Sequence, residues 1–156
     1  MTRSRATDWV PLDRTFTHRL HTLLKLTDRV TQTAYEAEAG LPAHEGRCLA
    51  AVGTFSPLSV NDLAHHANLD KGQASRAAQS LVAQGLLSKT SSPTDGRGVV
   101  LNLTPAGRKV WLRTIRMVTR RNQEITACLQ PEQLAQLDQL LDLLVAHARS
   151  SAQDMP

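Results

Sequence analysis

Between Lys71 and Ser80 the chain carries a run of side chains suited to hydrogen bonding: Gln73, Ser75, Arg76, Gln79 and Ser80. Arg can grip guanine through two parallel bonds, and Gln can do the same with adenine. Lys71 and Gly72 stand just ahead of them. If a helix starts there, its free N–H groups and positive dipole end favour a phosphate, and Gly lets the backbone come close. Interleaved with these residues are Ala74, Ala77, Ala78, Leu81 and Val82, an apolar stripe at helical spacing with little bulk. Such a helix can lie close to a neighbour while its polar side meets base edges or phosphates. On its own a polar outer face is usually just a solvated one, so the surrounding elements decide the reading.

Those elements come in a definite order. Ser59 caps a helix, with Asp62 three residues on and Val60, Leu63, Ala64 and Ala67 as its buried face. Asn68-Leu69-Asp70 makes a turn, Asp70 caps the next helix, and Gln73 takes the capping-box position. Gly85 supplies the left-handed residue that stops that helix. Residues 86–90 and 99–103 read as short strands. The link between them holds Pro93, Asp95-Gly96 and Gly98, all turn formers, and carries Arg97. An Arg on a narrow hairpin tip can enter a minor groove, where negative potential is strong. Asp95 either accepts hydrogen bonds that hold the tip or pairs with Arg97 or Arg76. Thr104 then caps another helix, with Pro105 in its first position. This order predicts a winged helix-turn-helix over 41–103. Its first helix braces and its second enters the major groove.

The flanking segments predict long helices. Leu12, Phe16, Leu20, Leu23, Val30, Ala34 and Ala37 share one face of a helix that starts near 11–13 and ends before Gly40. Arg14, His21, Lys25, Asp28 and Gln32 fall opposite. That length exceeds the needs of one small globule, so part of it should pack on a partner chain. A second helix spans 44–52, with Cys48, Leu49 and Val52 inward, and Gly53 ends it. After Thr104, one stripe is Trp111, Ile115, Val118, Ile125 and Leu129. Lys109, Arg113, Arg116 and Arg120 form a solvated stripe opposite. The last helix, opened by Pro131, places Leu134, Leu137, Leu140, Leu141, Leu144, Val145 and Ala148 on a wide face and Leu143 on the reverse. Two greasy sides predict burial between subunits. The expected fold class is mainly α with a small β-hairpin wing. Residues 11–40 and 104–149 form a helical dimerisation region, and 1–10 and 150–156 are flexible tails.

Composition agrees with this plan. A chain of 156 residues suits one domain, or one with helical extensions. Only five residues are aromatic (Trp9, Phe16, Tyr35, Phe55 and Trp111), so the core must be Leu, Val and Ala. The formal charge of +4 is compatible with an anionic partner. Cys48 and Cys128 show no metal-binding or disulfide-scaffold spacing, which fits a reducing interior. His65 and His66 are adjacent and point apart on a helix, a poor chelate. No metal or cofactor is expected. With neither a signal-peptide pattern nor a membrane-length apolar run, a cytoplasmic protein is expected.

The central stretch resembles the MarR family of dimeric winged-helix transcription regulators. The matching residues are Leu63-Ala64, Ser75-Arg76, the LVAQGLL of 81–87, Asp95-Gly96-Arg97, and the LTPAG of 103–107. The resemblance implies a triangular homodimer held by the first and last two helices. It implies double-stranded DNA as partner, in the form of a palindromic operator, and repression relieved by a small molecule. Many members sense aromatic acids or phenols in a crevice between the dimer helices and the winged domain. The residue that opens the wing, often Arg in that family, is Lys89 here, which lacks the fork an Arg would offer Asp95.

An effector crevice of that kind would draw on Arg19, His21, His44, Arg47 and Trp111, where an Arg could clamp a carboxylate and an aromatic could stack on a ring. A redox regulator using Cys48 or Cys128 is an alternative, as is a winged-helix module for protein contacts. No Ser/His/Asp spacing, phosphate-binding Gly loop or paired carboxylates mark an enzyme.

Overall fold

The computed structural model describes residues 9–92 and 98–153. Asp95 and Arg97 lie outside the described residues. The chain forms two compact units, one through Met117 and one from Val118.

In the first unit a 3-10 turn, Leu12–Arg14, leads into α1, Phe16–Ala34, which passes into a π-helical turn, Tyr35–Ala39. Gly40, at φ 70°, ends it in the left-handed conformation that Gly adopts without a Cβ penalty. The periodicity of α1 is as expected, but the side it turns to its own chain is the polar one. Asp28 reaches Arg47 of the next helix at 3.5 Å. Phe16, Leu20, Leu23 and Val30 of the apolar stripe stay exposed. The helix docks through its end, where the ring of buried Tyr35 lies on Gly46, so close that a Cβ there would stand 2.2 Å from the ring.

Helix α2, Ala43–Phe55, turns Cys48, Leu49 and Val52 inward, all fully buried. Gly53 does not end it. The helix continues for two residues, and Gly53 instead provides the seat for Trp111, whose ring lies 2.2 Å from where its Cβ would be. Close packing outweighs the roughly 1 kcal/mol that Gly costs within a helix.

Helices α3, Val60–Ala67, and α4, Lys71–Ala83, follow, with Asn68 left-handed at φ 52° between them. The small inner stripe of α4 (Ala74, Ala77, Ala78 and Leu81) is buried against α2 and α3. Gly85, at φ 71°, turns the chain into β1, Leu87–Ser91, which pairs antiparallel with β2, Val99–Leu103, in the register Leu87 to Leu103. Leu58, after α2, bridges fully buried Leu101, which ties the hairpin to the helices.

Helix α5, Pro105–Thr126, starts on Thr104. Its Oγ1 accepts from Gly107 N–H at 2.9 Å and donates to the Gly85 carbonyl at 2.6 Å. The first turn of α5 lies directly on the strand entry. A Cβ on Gly107 would stand 1.9 Å from the Leu86 carbonyl oxygen. The buried line of α5 in this unit is Gly107, Thr114 and Met117, with Trp111 and Ile115 only partly covered. Thr114 is polar and carries no apolar signal in the sequence. Its hydroxyl donates to the Val110 carbonyl at 3.0 Å, which removes the cost of burying it.

In the second unit, Glu124 pairs with Arg120 at 3.3 Å and with Arg121. Helix α6, Pro131–Gln153, leaves Leu140, Leu141, Leu143, Leu144 and Val145 at 40–67% exposure within the single chain.

Candidate nucleic-acid interface

Helix α4 is capped at both levels the sequence suggested. Asp70 Oδ1 accepts from Gln73 N–H at 2.7 Å, and Gln73 Oε1 accepts from Asp70 N–H at 3.4 Å. This capping box fixes where the free N–H groups point. Lys71, Gly72, Gln73, Arg76 and Gln79 are exposed, and Ser75 and Ser80 are half-buried. The Arg76 guanidinium folds back along the helix, with Nη1 3.4 Å from where a Cβ of Gly72 would be. Its cationic charge therefore stands at the helix's positive end, beside a backbone with no side chain to shield it. A cation, a dipole end and free N–H groups together suit an anionic oxygen. Farther along, Arg76, Gln79 and Ser80 present donors and acceptors for base edges.

Two residues missed by sequence reasoning hold the other end of α4. Gln84 Nε2 donates to Ser80 Oγ at 3.0 Å and to Oε2 of buried Glu45 on α2 at 2.9 Å. No local pattern could have paired positions so far apart in the chain.

The wing is described up to its tip. Lys89 is exposed on β1, opposite Leu101, and Ser92 N–H donates to the Gly98 carbonyl at 2.8 Å, which closes the base of the loop. The expected roles of Asp95 and Arg97 fall on residues outside this description.

Of the effector candidates, the structure brings two together. A cleft of about 380 Å³ is lined by Asp28, Gln32 and Glu36 of α1, by Pro42, Ala43, His44 and Arg47 at the start of α2, and by Leu69 and Gln73. Arg19 and His21 do not line it; both are exposed on the first half of α1. Trp111 does not line it either, because its ring is committed to Gly53, where its buried Nε1 has no hydrogen-bond partner among the described residues. Asp28 and Gln32, which also line it, lie on the polar side of α1, opposite its apolar stripe.

The cysteines differ sharply. Cys48 is fully buried, and burial, reinforced by the Glu45 carboxylate, pushes its thiol up to about 12. A thiol held protonated is a poor nucleophile. Cys128 is exposed. His66 stacks on Phe55 with ring centres 4.2 Å apart, and His65 meets His66 edge-on. Among the described residues no helix is long and apolar enough to cross a membrane.

Comparison with known proteins agrees with this geometry. A family model described as MarR family matches residues 39–98, from the end of the π-helical turn to the far side of the wing. The HTH-type transcriptional regulator YhjH of Bacillus subtilis is 29% identical over 82 residues, which are 53% of this chain and 47% of YhjH. The matched segment thus spans about half the length of that relative. Among solved structures, a MarR-family regulator from Silicibacter pomeroyi aligns at a TM-score of 0.76 and 21% identity, covering 88% of this chain and 92% of that one. BpsR of Bordetella bronchiseptica, whose DNA binding is regulated by 6-hydroxynicotinic acid, aligns at 0.76 and 20%, covering 88% and 97%. PcaV of Streptomyces coelicolor, solved with its natural ligand, aligns at 0.69 and 23%, covering 90% and 98%. At these identities the structural likeness is one of fold. Together with the family model seated on the winged segment, it leads to one conclusion: the chain has the fold of these regulators, and its segment 39–98 matches the MarR family model.

Proposed function

We propose that the chain is a sequence-specific DNA-binding transcriptional regulator, a homodimeric repressor released from a palindromic operator by a small anionic effector. The observation that carries this reading is the outer face of α4. Arg76 and the capped N-terminus offer an anion site, and Gln73, Gln79 and Ser80 offer base-reading groups on a helix whose inner face is nearly all Ala. Lys71 and Gly72 take a phosphate, Ser75 supports the same surface, and Arg97 probes the flanking minor groove from a wing held by Asp95 and Lys89.

Dimerisation follows from exposed apolar surface. The stripe of α1 and the two sides of α6 leave more Leu, Val and Phe uncovered than a monomer ordinarily tolerates. A second copy would cover them and set two reading helices about one DNA turn, roughly 34 Å, apart.

The cleft supplies the effector site. Arg47 pairs with Asp28 across half-exposed surface, a bond worth little in water, so a ligand carboxylate can replace it. His44 stands on the same face, and Gln73 lines the cleft while closing the cap of α4, which links occupancy to the reading helix. An aromatic carboxylate or phenol, the class to which the regulator of BpsR belongs, suits a cleft of this size. The protein would work in the cytoplasm, where its DNA is.

The test is a footprint on DNA upstream of the chain's own gene at low salt, repeated with hydroxybenzoates and 6-hydroxynicotinate. The expected result is protection of a palindrome, lost as one of these ligands is added. An unprotected region would count against the repressor reading. Protection that survives every aromatic acid would count against the effector class.

A further inference from the structure

Gly72, Arg76, Ser80 and Gln84 are spaced four apart and make one row along the reading helix. The row ends in a relay that leaves it for the core: Ser80, Gln84, then buried Glu45 of α2. The relay has a direction. An ionised carboxylate can only accept hydrogen bonds, so Glu45 forces the Gln84 amide to turn its NH2 group toward it. Of the two N–H bonds of that group, one goes to Glu45 Oε2 and the other to Ser80 Oγ, at 2.9 and 3.0 Å. Ser80 Oγ is thereby an acceptor within the protein, and its single O–H remains to donate.

Helical hydroxyls in this chain commonly spend that proton on the carbonyl four residues earlier. Thr22, Thr54, Thr114, Ser150 and Ser151 all do so. Among the described residues Ser80 makes no such bond. We propose that Glu45 and Gln84 are positioning residues that hold the Ser80 hydroxyl as an outward hydrogen-bond donor, so that Ser80 selects an acceptor on the DNA, a phosphate oxygen or a purine N7 or O6 edge. The proposal rests on the reading of α4 as the DNA-contacting helix. Without the carboxylate, the Gln84 amide is free to flip. Its oxygen then faces Ser80, takes the hydroxyl proton, and leaves no donor toward the groove.

The test is a double-mutant cycle on the full-length protein, with a duplex selected by that protein from a random-sequence pool. Affinity is measured for the selected duplex and a scrambled one, with the melting temperature of each variant alongside. Ser80→Ala, Glu45→Ala and Gln84→Ala are each expected to weaken the selected complex roughly three- to ten-fold, the value of one hydrogen bond. Glu45→Ala combined with Ser80→Ala should be no weaker than Ser80→Ala alone, because both remove the same contact. A merely structural role for Glu45 would instead multiply the two losses and overturn the proposal. So would wild-type affinity for Gln84→Ala, a surface change that keeps the test open if Glu45→Ala does not fold. Equal losses on the scrambled duplex would assign the acceptor as phosphate. A loss confined to one base pair of the selected duplex would assign it as a base edge. If no sequence is selected at all, the reading of α4 fails, and this proposal falls with it.

Discussion

Gly107 has no side chain because the Leu86 carbonyl oxygen occupies the place where one would go, 1.9 Å from an added Cβ. The neighbour is backbone, so it cannot rotate away. Gly107→Ala should therefore destabilise the fold by about 1–3 kcal/mol, the usual cost of overpacking. Its melting temperature should fall, whereas Gly40, with open space around it, owes its place to its left-handed φ alone. Cys48 makes a prediction in pH. Its thiol rises from the ordinary 9.0 to about 12 in the folded chain, so the unfolded chain loses its proton first. Its contribution to stability is complete below pH 9 and is lost as pH climbs toward 12. Tyr35, raised by burial against the opposing pull of Arg47, adds in the same direction above its usual 10. Chemical denaturation at pH 8 and 10.5 should show the loss, and Cys48→Ala should make the curve flatter between them. A thiol reagent at neutral pH should react with Cys128 promptly and with Cys48 only on unfolding.

At the scale of elements, α4 owes its start to Asp70. Asp70→Ala removes one half of the capping box and should cost about 1 kcal/mol of stability. It should also weaken DNA binding, because the freed N–H groups lose their alignment; a melting curve and a binding isotherm on one sample check both. The caps at Ser59, Asp70 and Thr104 and the stop at Gly85 were all legible in the sequence, because each rests on residue types that act within one turn. The hairpin was legible to within one residue. What escaped was tertiary. Gly53 looks like a terminator until Trp111 is laid across it. The polar side of α1 looks like a solvent face until Asp28 is set against Arg47. Thr114 looks misplaced in a buried line until its hydroxyl finds the carbonyl of Val110. Glu45 and Gln84 form no local pattern. Of the proposed contacts, those on α4 could be read because a reading helix is a local object. The cleft could be read only in part, since its walls come from three segments distant in sequence.

For the whole molecule, the exposed apolar residues of α1 and α6 predict a dimer. Sedimentation at micromolar concentration should give twice the chain mass, and Leu20→Glu with Leu23→Glu on α1 should shift it toward the monomer. Because the proposed operator is read by two copies, the same pair of changes should cost more DNA affinity than any single change on α4. Salt should weaken binding steeply, since Lys71, Arg76 and the wing would displace counterions from phosphates. All of this depends on α4 reading sequence, and one measurement addresses that directly: the ratio of affinities for a protein-selected duplex and its scrambled counterpart, in wild type and in Arg76→Ala. The account predicts a ratio of about 10³ or more for wild type at physiological salt. Arg76→Ala should reduce that ratio by roughly 10- to 100-fold, chiefly through weaker binding to the selected duplex. A ratio near one in wild type, or an Arg76→Ala ratio equal to wild type, would contradict it.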